Sequence, residues 1–213
     1  MTRIADIFAS HVQSCPVVAI LRGITPDEII AVGRALMQCG INVIEIPLNS
    51  PEPFESIRRL SADAGDKAII GAGTVLEVSD VAAVKAAGGQ LVVSPNTNVA
   101  VIAATVAAGM ISVPGYFTPT EAFSAIGAGA HAIKLFPAEA ASPSVVKAQR
   151  AVLPRGFPLF VVGGVQASDA AQWMTAGATG FGLGGALYSP GHSPEQVREA
   201  AMAFIAALPR EAT

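Results

Sequence analysis

The stretch VAVIAATVAAGMISV, from Val99 to Val113, contains the repeating unit that decides the fold of this chain. Residues Val99–Ala108 have the periodicity of a helix, and Met110–Val113 form a short apolar run typical of a buried strand. Gly109 stands between them, where glycine commonly ends a helix because it adopts the left-handed conformation without steric cost. The stretch therefore predicts a helix followed at once by a strand.

The same unit recurs along the whole chain and predicts its architecture. Eight apolar runs have the length of strands: Val17–Leu21, Val43–Ile46, Ala68–Ile70, Leu91–Val93, Met110–Val113, Ala132–Leu135, Leu159–Val162 and Gly180–Leu183. Helical segments alternate with them, among others Pro26–Gln38, Val78–Ala87, Val99–Ala108, Pro119–Ile126, Pro143–Val152, Ser168–Ala176 and, at the end, Pro194–Leu208. Eight strands alternating with helices predict an α/β fold, a single (β/α)₈ TIM barrel over residues 1–213 with a short N-terminal helix. The alternative is an open doubly wound sheet, which usually has fewer strands at this length.

Composition limits the classes of function. The 213 residues are 52% hydrophobic and 14% charged, which favours an α/β protein with much two-sided burial. A net charge of −3 provides no electrostatic footprint for nucleic acid or an anionic membrane. No apolar run approaches the roughly 20 residues of a membrane span, and the N-terminus lacks a signal-peptide pattern. Cys15 and Cys39 have no metal-ligand spacing and the three histidines are scattered, so we expect no metal and a reducing, cytoplasmic location.

Two ionisable residues interrupt apolar runs. Lys134 lies within Ala130–Pro137, and Glu45 stands alone within Asn42–Pro47. A buried ammonium tends to pair with an acid or to lose its proton, and a neutral lysine is a nucleophile for carbonyl carbon. A structural role remains open from these two segments alone, because a lysine can also extend from an edge strand into solvent.

The positions of these residues in the predicted barrel favour a functional role. In a (β/α)₈ barrel the chemistry takes place at the carboxyl ends of the strands. Glu45 and Lys134 lie at the ends of the second and sixth predicted strands, and Arg22 follows the first. Two glycine pairs, Gly163-Gly164 and Gly184-Gly185, follow the seventh and eighth strands, where backbone amides of this architecture usually bind phosphate. Together they predict an active site for a phosphate-bearing substrate.

Several motifs resemble one known family from about Val17 to about Pro190. They are Ala19–Gly23, Val43–Pro51, Ile70–Val75, Pro114-Gly115 with Thr118–Glu121, Lys134–Pro137 and Val161–Val165. In these motifs the chain resembles the class I 2-keto-3-deoxy-6-phosphosugar-acid aldolases. The resemblance implies a homotrimeric (β/α)₈ barrel that performs a metal-independent retro-aldol reaction on a phosphorylated keto-deoxy sugar acid without a cofactor.

The resemblance also implies roles for individual residues. Lys134 matches the Schiff-base lysine, and Glu45 matches the acid/base that works on the carbinolamine and the C4 hydroxyl. Thr74 would hold the carboxylate of the pyruvyl half, and Arg22 would bind substrate. Gly163, Gly164, Gly184 and Gly185 would surround the phosphate. Many relatives have serine where this chain has Gly185, so only backbone could serve the phosphate there.

The resemblance further favours one epimer of the substrate. The sister enzyme for the gluconate epimer typically has Thr-Leu-Arg after the glutamate and a threonine before the strand-seven glycine pair, whereas this chain has Pro47-Leu48-Asn49 and Val162. Loss of a hydroxyl at Val162 removes a hydrogen bond that could select the C4 configuration. The expected reaction is cleavage of 2-dehydro-3-deoxy-6-phospho-D-galactonate to pyruvate and D-glyceraldehyde 3-phosphate in galactonate catabolism. We interpret Asn49 and Pro95 as loop-shaping residues rather than contacts.

Four alternatives remain open from the sequence. Within the aldolase family they are the gluconate epimer and 4-hydroxy-2-oxoglutarate. Outside it they are a metal-dependent phosphosugar isomerase, which would require clustered carboxylates or histidines, and a non-enzymatic phosphosugar-binding barrel.

Overall fold

A computed structural model of the protein describes residues 3–209. The nine strands are β1 (Val17–Ile20), β2 (Val43–Pro47), β3 (Ile69–Gly73), β4 (Leu91–Val93), β5 (Ile111–Val113), β6 (Gly115–Tyr116), β7 (Ile133–Leu135), β8 (Leu159–Val162) and β9 (Gly180–Leu183). The nine α-helices of this part of the chain are α1 (Arg3–Ser14), α2 (Ile29–Gln38), α3 (Pro53–Ala64), α4 (Val78–Ala86), α5 (Val99–Ala107), α6 (Pro119–Gly127), α7 (Pro143–Arg150), α8 (Ala170–Thr175) and α9 (Pro194–Ala206). No helix among these residues is long and apolar enough to cross a membrane.

All recorded strand pairs are parallel, and they confirm the predicted barrel. The order in the sheet is β5-β4-β3-β2-β1-β9-β8-β7-β6, so consecutive strands of the chain are neighbours throughout. The two ends of this sheet, β5 and β6, are separated along the chain only by Pro114. They are two parts of one strand that the sequence predicted as the fifth, and the sheet closes through them.

Pro114 explains why the fifth strand is divided. Its ring nitrogen carries no hydrogen, so one donor is missing from the ladder at this point. Its carbonyl oxygen still accepts from Lys134 N at 2.9 Å, and Ser112 O accepts from His131 N at 2.9 Å, so β7 and the residues just before it bond to both parts. The barrel therefore has eight strands in space, although nine segments are assigned.

The barrel has two hydrophobic cores, one between the strands and the helices and one inside the barrel, and the alternation of side chains along each strand assigns residues to one or the other. Every second residue faces the helices and belongs to the larger hydrophobic cluster. The intervening residues fill the barrel interior: Val18, Ile20, Val43, Ile69, Leu91, Val93, Ile111, Val113, Ala132, Phe160 and Val162. Helix α1 covers the amino-terminal end of the barrel, because Ala5, Phe8 and Val12 pack against this inner cluster.

The local signals in the sequence place most helix ends correctly. Thr118 and Ser193 cap α6 and α9 in complete capping boxes, and Asn98 caps α5 by accepting from the amide of Ala100 at 3.0 Å.

The predicted helices differ from the observed ones in a few places. Helix α2 begins at Ile29, three residues later than predicted, because residues 25–28 form a turn. Helix α3 was not singled out in the sequence. The predicted N-terminal helix is present from Arg3, whereas Met1 and Thr2 lie outside the described residues. The assignment of residues 1–213 to one domain stays a prediction.

Candidate active site

The inward-facing residues of the barrel lead directly into one cavity at the carboxyl ends of the strands. Because side chains alternate, the residue two positions after an inner core residue also faces inward. Glu45 follows Val43 in this way, Lys134 follows Ala132, and Arg22 follows Ile20. The strand periodicity that builds the inner core thus also aims these three polar side chains at the mouth of the barrel.

The cavity has a volume of about 290 Å³ and brings all the sequence-predicted site residues together. They are Arg22, Glu45, Thr74, Lys134, Val162, Gly163, Gly164, Gly184 and Gly185. The roles expected of them in binding and catalysis stay predictions. Within residues 3–209 there is no group of three His, Cys, Asp or Glu residues that could hold a metal ion.

Glu45 and Lys134 are almost completely removed from solvent, with 2% and 7% of their surfaces exposed. Burial raises the pKa of Glu45 to about 7, although the positive charges of Lys134 and Arg22 pull it down. Burial likewise lowers the pKa of Lys134 to about 8, against the opposing effect of the Glu45 carboxylate. The net direction of the pKa shift of the lysine, which the sequence left open, is therefore downward, and this favours the neutral amine that attacks a carbonyl carbon.

One oxygen of the glutamate has no protein partner. Glu45 Oε2 is buried and has no hydrogen-bond partner among the described residues. A buried carboxylate oxygen without a partner is costly in its ionised form, which favours the protonated acid. Glu45 lines the cavity, where its carboxyl group suits an acid/base that exchanges a proton with a bound molecule. Lys134 Nζ lies 4.8 Å from the centre of the Phe136 ring, which also lines the cavity.

Gly73 provides the space in which the Glu45 carboxylate lies. A methyl group at Gly73 would overlap both carboxylate oxygens of Glu45. Gly182 does the same for Val162, whose side chain would be struck by a methyl group at that position. Glycine is therefore required at Gly73 in β3 and at Gly182 in β9 because a larger residue would overlap these two side chains, not because the chain turns there.

Thr74 adopts a backbone conformation that its side chain disfavours. Its φ is 56°, in the left-handed region, where a β-branched residue is an outlier that costs on the order of 1–3 kcal/mol. The following residue is fixed on both sides, since Val75 N donates to Val93 O at 3.3 Å and Val75 O accepts from Ser94 Oγ at 2.7 Å. The strained backbone directs Thr74 into the cavity, as expected for a residue that contacts substrate.

The two glycine pairs form one end of the cavity. Gly163 and Gly164 have φ of 109° and 64°, which glycine adopts readily. After β9 the chain makes a helical turn in which Leu187 N and Tyr188 N both donate to Gly184 O. The amides of Gly164 and Gly185 donate to no other described residue, so they are free to bind an anion.

Sequence reasoning missed several residues of this site. Glu139 lies in the cavity wall and packs on the first glycine pair, because a methyl group at Gly163 or Gly164 would overlap its side chain. Gln166 Nε2 donates to Gly164 O at 3.3 Å. Pro95, interpreted as loop-shaping, lines the cavity. Asn49 does not line it, but its Oδ1 accepts from Arg22 Nη1 at 2.6 Å. Glu139 could have been noticed in the sequence, because it closely follows the motif that contains Lys134. The contacts between loops, such as that of Asn49 with Arg22, have no signal in the sequence.

The fold and the site define a (β/α)₈ barrel whose mouth holds a lysine suited to carbonyl chemistry. Residues 8–200 match the aldolase family described as KDPG and KHG aldolase, and the chain belongs to that family. It is 49% identical over 197 residues to the 2-dehydro-3-deoxy-6-phosphogalactonate aldolase of Escherichia coli K12, covering 92% of this chain and 96% of that protein. It is 47% identical over 192 residues to a probable enzyme of the same name from Rhizobium meliloti, covering 90% and 91%.

The comparison with solved structures agrees with the sequence comparison. A structure described as native KDPGal superposes with a TM-score of 0.89 at 48% identity, covering 90% of this chain and 93% of that one. The expected aldolase family and the barrel fold are therefore confirmed.

We predict that Gly73→Ala removes most of the activity while leaving the fold intact. The added methyl group would displace the carboxylate of Glu45, which is the flexible end of a side chain, rather than any backbone atom. Loss of a positioned acid/base lowers the rate by on the order of 10²–10⁴. The measurement is aldol-cleavage turnover together with a thermal melt. Gly127→Ala, where a methyl group meets nothing within 4 Å, serves as the control, and wild-type turnover in Gly73→Ala would contradict the prediction.

We also predict that Glu45→Gln lowers the pKa of Lys134 further. The Glu45 carboxylate stabilises the ammonium and raises this pKa, so removing the negative charge has the opposite effect. The pH at which Lys134 becomes reactive then moves toward acid. The rate at which acetic anhydride labels Lys134, followed by peptide mapping across pH, reports this value. A reactivity curve that stays in place or moves toward alkali would show that the two groups do not interact as described.

Proposed function

We propose that the protein is a class I aldolase that cleaves 2-dehydro-3-deoxy-6-phospho-D-galactonate to pyruvate and D-glyceraldehyde 3-phosphate. The observation that carries the proposal is that the buried Lys134, with its lowered pKa, and the buried Glu45 line one cavity at the mouth of the barrel. The names of the two relatives support the substrate. The reaction needs no metal or cofactor, since the lysine itself supplies the electron sink.

The mechanism follows from the two buried groups. Neutral Lys134 attacks the C2 ketone, and the carbinolamine loses water to give a protonated imine. Glu45 takes the proton from the C4 hydroxyl as the C3–C4 bond breaks and its electrons flow into the imine. Glyceraldehyde 3-phosphate leaves, and the enamine on Lys134 is protonated and hydrolysed to pyruvate, which restores the free amine.

The remaining walls of the cavity suit the two ends of the substrate. The amides of Gly164 and Gly185 are donors for the phosphate, with Gly163 and Gly184 allowing the backbone to approach. Thr74 and Arg22 also line the cavity, and a hydroxyl and a guanidinium can hold the carboxylate of the pyruvyl half. Only backbone is available at Gly185, where a Cβ would meet nothing within 4 Å.

Val162 supports the galacto configuration over the gluconate epimer. Its side chain is 5% exposed and lies on the strand next to Lys134, so it contacts substrate without offering a hydrogen bond. A C4 hydroxyl that requires a donor or acceptor here would be left unpaired, which disfavours that epimer.

The test is pyruvate release, coupled to lactate dehydrogenase, from the galactonate and gluconate epimers side by side. We expect the galacto epimer to be preferred, Lys134→Ala to be inactive, and Val162→Thr to move the ratio of the two kcat/KM values toward the gluconate epimer by roughly three- to tenfold, the effect of one hydrogen bond. Equal rates on both epimers would remove the substrate assignment. No pyruvate from either would remove the aldolase proposal.

The proposal includes a cytoplasmic homotrimer. Six exposed large apolar side chains of the described residues lie on or beside three consecutive helices, α4, α5 and α6, which pack side by side: Leu76, Val78, Val99, Val106, Phe117 and Phe123. A surface of this kind is typical of a protein–protein interface. The α4–α6 surface therefore supports association between copies of the chain.

Sedimentation equilibrium tests the assembly. We expect three times the chain mass for the wild type and a smaller species for Phe123→Glu, because a charge in the apolar contact is not compensated. Val152→Glu, at an exposed apolar residue away from the α4–α6 surface, is the control. A monomeric wild type would overturn the trimer.

A further inference from the structure

Among the described residues, Arg22 is the one cation besides Lys134 in the cavity wall, yet its side chain is exposed at the end of β1. Its charge acts on both Glu45 and Lys134, so the guanidinium is near the reacting atoms. Among the described residues it makes a single side-chain hydrogen bond, from Nη1 to Asn49 Oδ1 at 2.6 Å. This contact joins the loop after β1 to the loop after β2.

A free arginine at this position would be a poor binding group. Its side chain carries many rotamers in solvent, and ordering a long charged side chain on binding costs affinity. A side chain already ordered in the free protein avoids that cost, and a guanidinium in a fixed orientation presents its remaining donors in one direction. The short bond to Asn49 is the contact that can supply this order.

The loop that bears Asn49 is itself fixed by its backbone. Leu48 N donates to Gly73 O and Ser50 N donates to Pro47 O, both at 2.9 Å. The buried Ser50 then accepts from Gly23 N at 3.0 Å, so the residue after Arg22 is tied to the residue after Asn49. Asn49 and Ser50 thus hold the side chain and the backbone of the neighbouring loop from a rigid base.

The chemical type of Asn49 matters as well as its place. An amide oxygen accepts from the guanidinium without carrying a charge, so Arg22 keeps its full positive charge toward the cavity. Aspartate would hold the same geometry and would reduce the net positive charge available to an anionic substrate.

We propose that Asn49 is a positioning residue that holds the Arg22 guanidinium in the orientation that binds the anionic substrate. The identity of the anionic substrate rests on the proposed aldolase function. The ordering of Arg22 rests only on its hydrogen bond to Asn49. The role is distinct from substrate contact, because Asn49 does not line the cavity.

The experiment compares the wild type with Asn49→Leu and Asn49→Asp. Asn49→Leu removes the acceptor at similar volume, and Asn49→Asp retains it. Asn42→Leu, the same change at the opposite end of β2, is the control, since no side-chain hydrogen bond of Asn42 is recorded within residues 3–209. The readouts are the ¹H–¹⁵N heteronuclear NOE of the Arg22 Nε, identified by its loss in Arg22→Lys, and the separate values of kcat and KM.

We expect Asn49→Leu to lower the NOE of Arg22 and to raise KM by about tenfold, with a much smaller change in kcat. Asn49→Asp should retain the NOE of the wild type, and Asn42→Leu should match the wild type in every readout. In an Arg22→Ala background, Asn49→Leu should have no further effect on KM, because two residues that act through one contact are not additive.

Two results would overturn the proposal: an unchanged Arg22 NOE in Asn49→Leu, or an equal KM increase for Asn49→Leu with and without Arg22. A wild-type protein with an ordered Arg22 and no cleavage activity would instead remove the aldolase function. In that case the NOE of Asn49→Leu still decides whether Asn49 orders the guanidinium, so the two failures are distinguishable.

Discussion

The burial of Glu45 and Lys134 in one cavity at the mouth of the barrel, where the charge of each acts on the other, is the constraint on which the rest of the site depends. Neither group could be buried alone as an ion without a large free-energy cost. Together they share the cost, since each charge stabilises the other, while burial moves their two pKa values toward each other. The result is a lysine that is partly neutral and an acid that is partly protonated in the same pH range, which is what imine formation needs.

The barrel supplies the geometry for this pair through strand register. Val43 and Ala132 belong to the inner core, and the pleat then points Glu45 and Lys134 inward from the same strands. The missing side chain of Gly73 leaves room for the Glu45 carboxylate at this level. The strain at Thr74 is held by two hydrogen bonds between the next residue, Val75, and the end of β4, so the barrel stabilises a conformation that Thr74 alone would not adopt.

Much of this arrangement could be predicted from the sequence, because it follows from periodicity and from chemically unusual residues. The helix–glycine–strand unit of Val99–Val113 predicted the barrel, and the charged residues within apolar runs predicted that Lys134 and Glu45 would meet. What could not be predicted depends on contacts between loops and on side-chain direction. The hydrogen bond between Arg22 and Asn49, and the packing of Glu139 on Gly163, arise only when separate strand ends meet. The division of the fifth strand at Pro114 was readable in principle, since proline cannot donate to a ladder.

The central claim is that Lys134 forms a covalent imine with the keto substrate. The most direct measurement is incubation with pyruvate and sodium borohydride, followed by mass spectrometry of the intact chain and of its peptides. The account predicts one reduced pyruvyl adduct per chain, located on Lys134 and absent from Lys134→Ala. No adduct, or an adduct on another lysine with Lys134 unmodified, would contradict it.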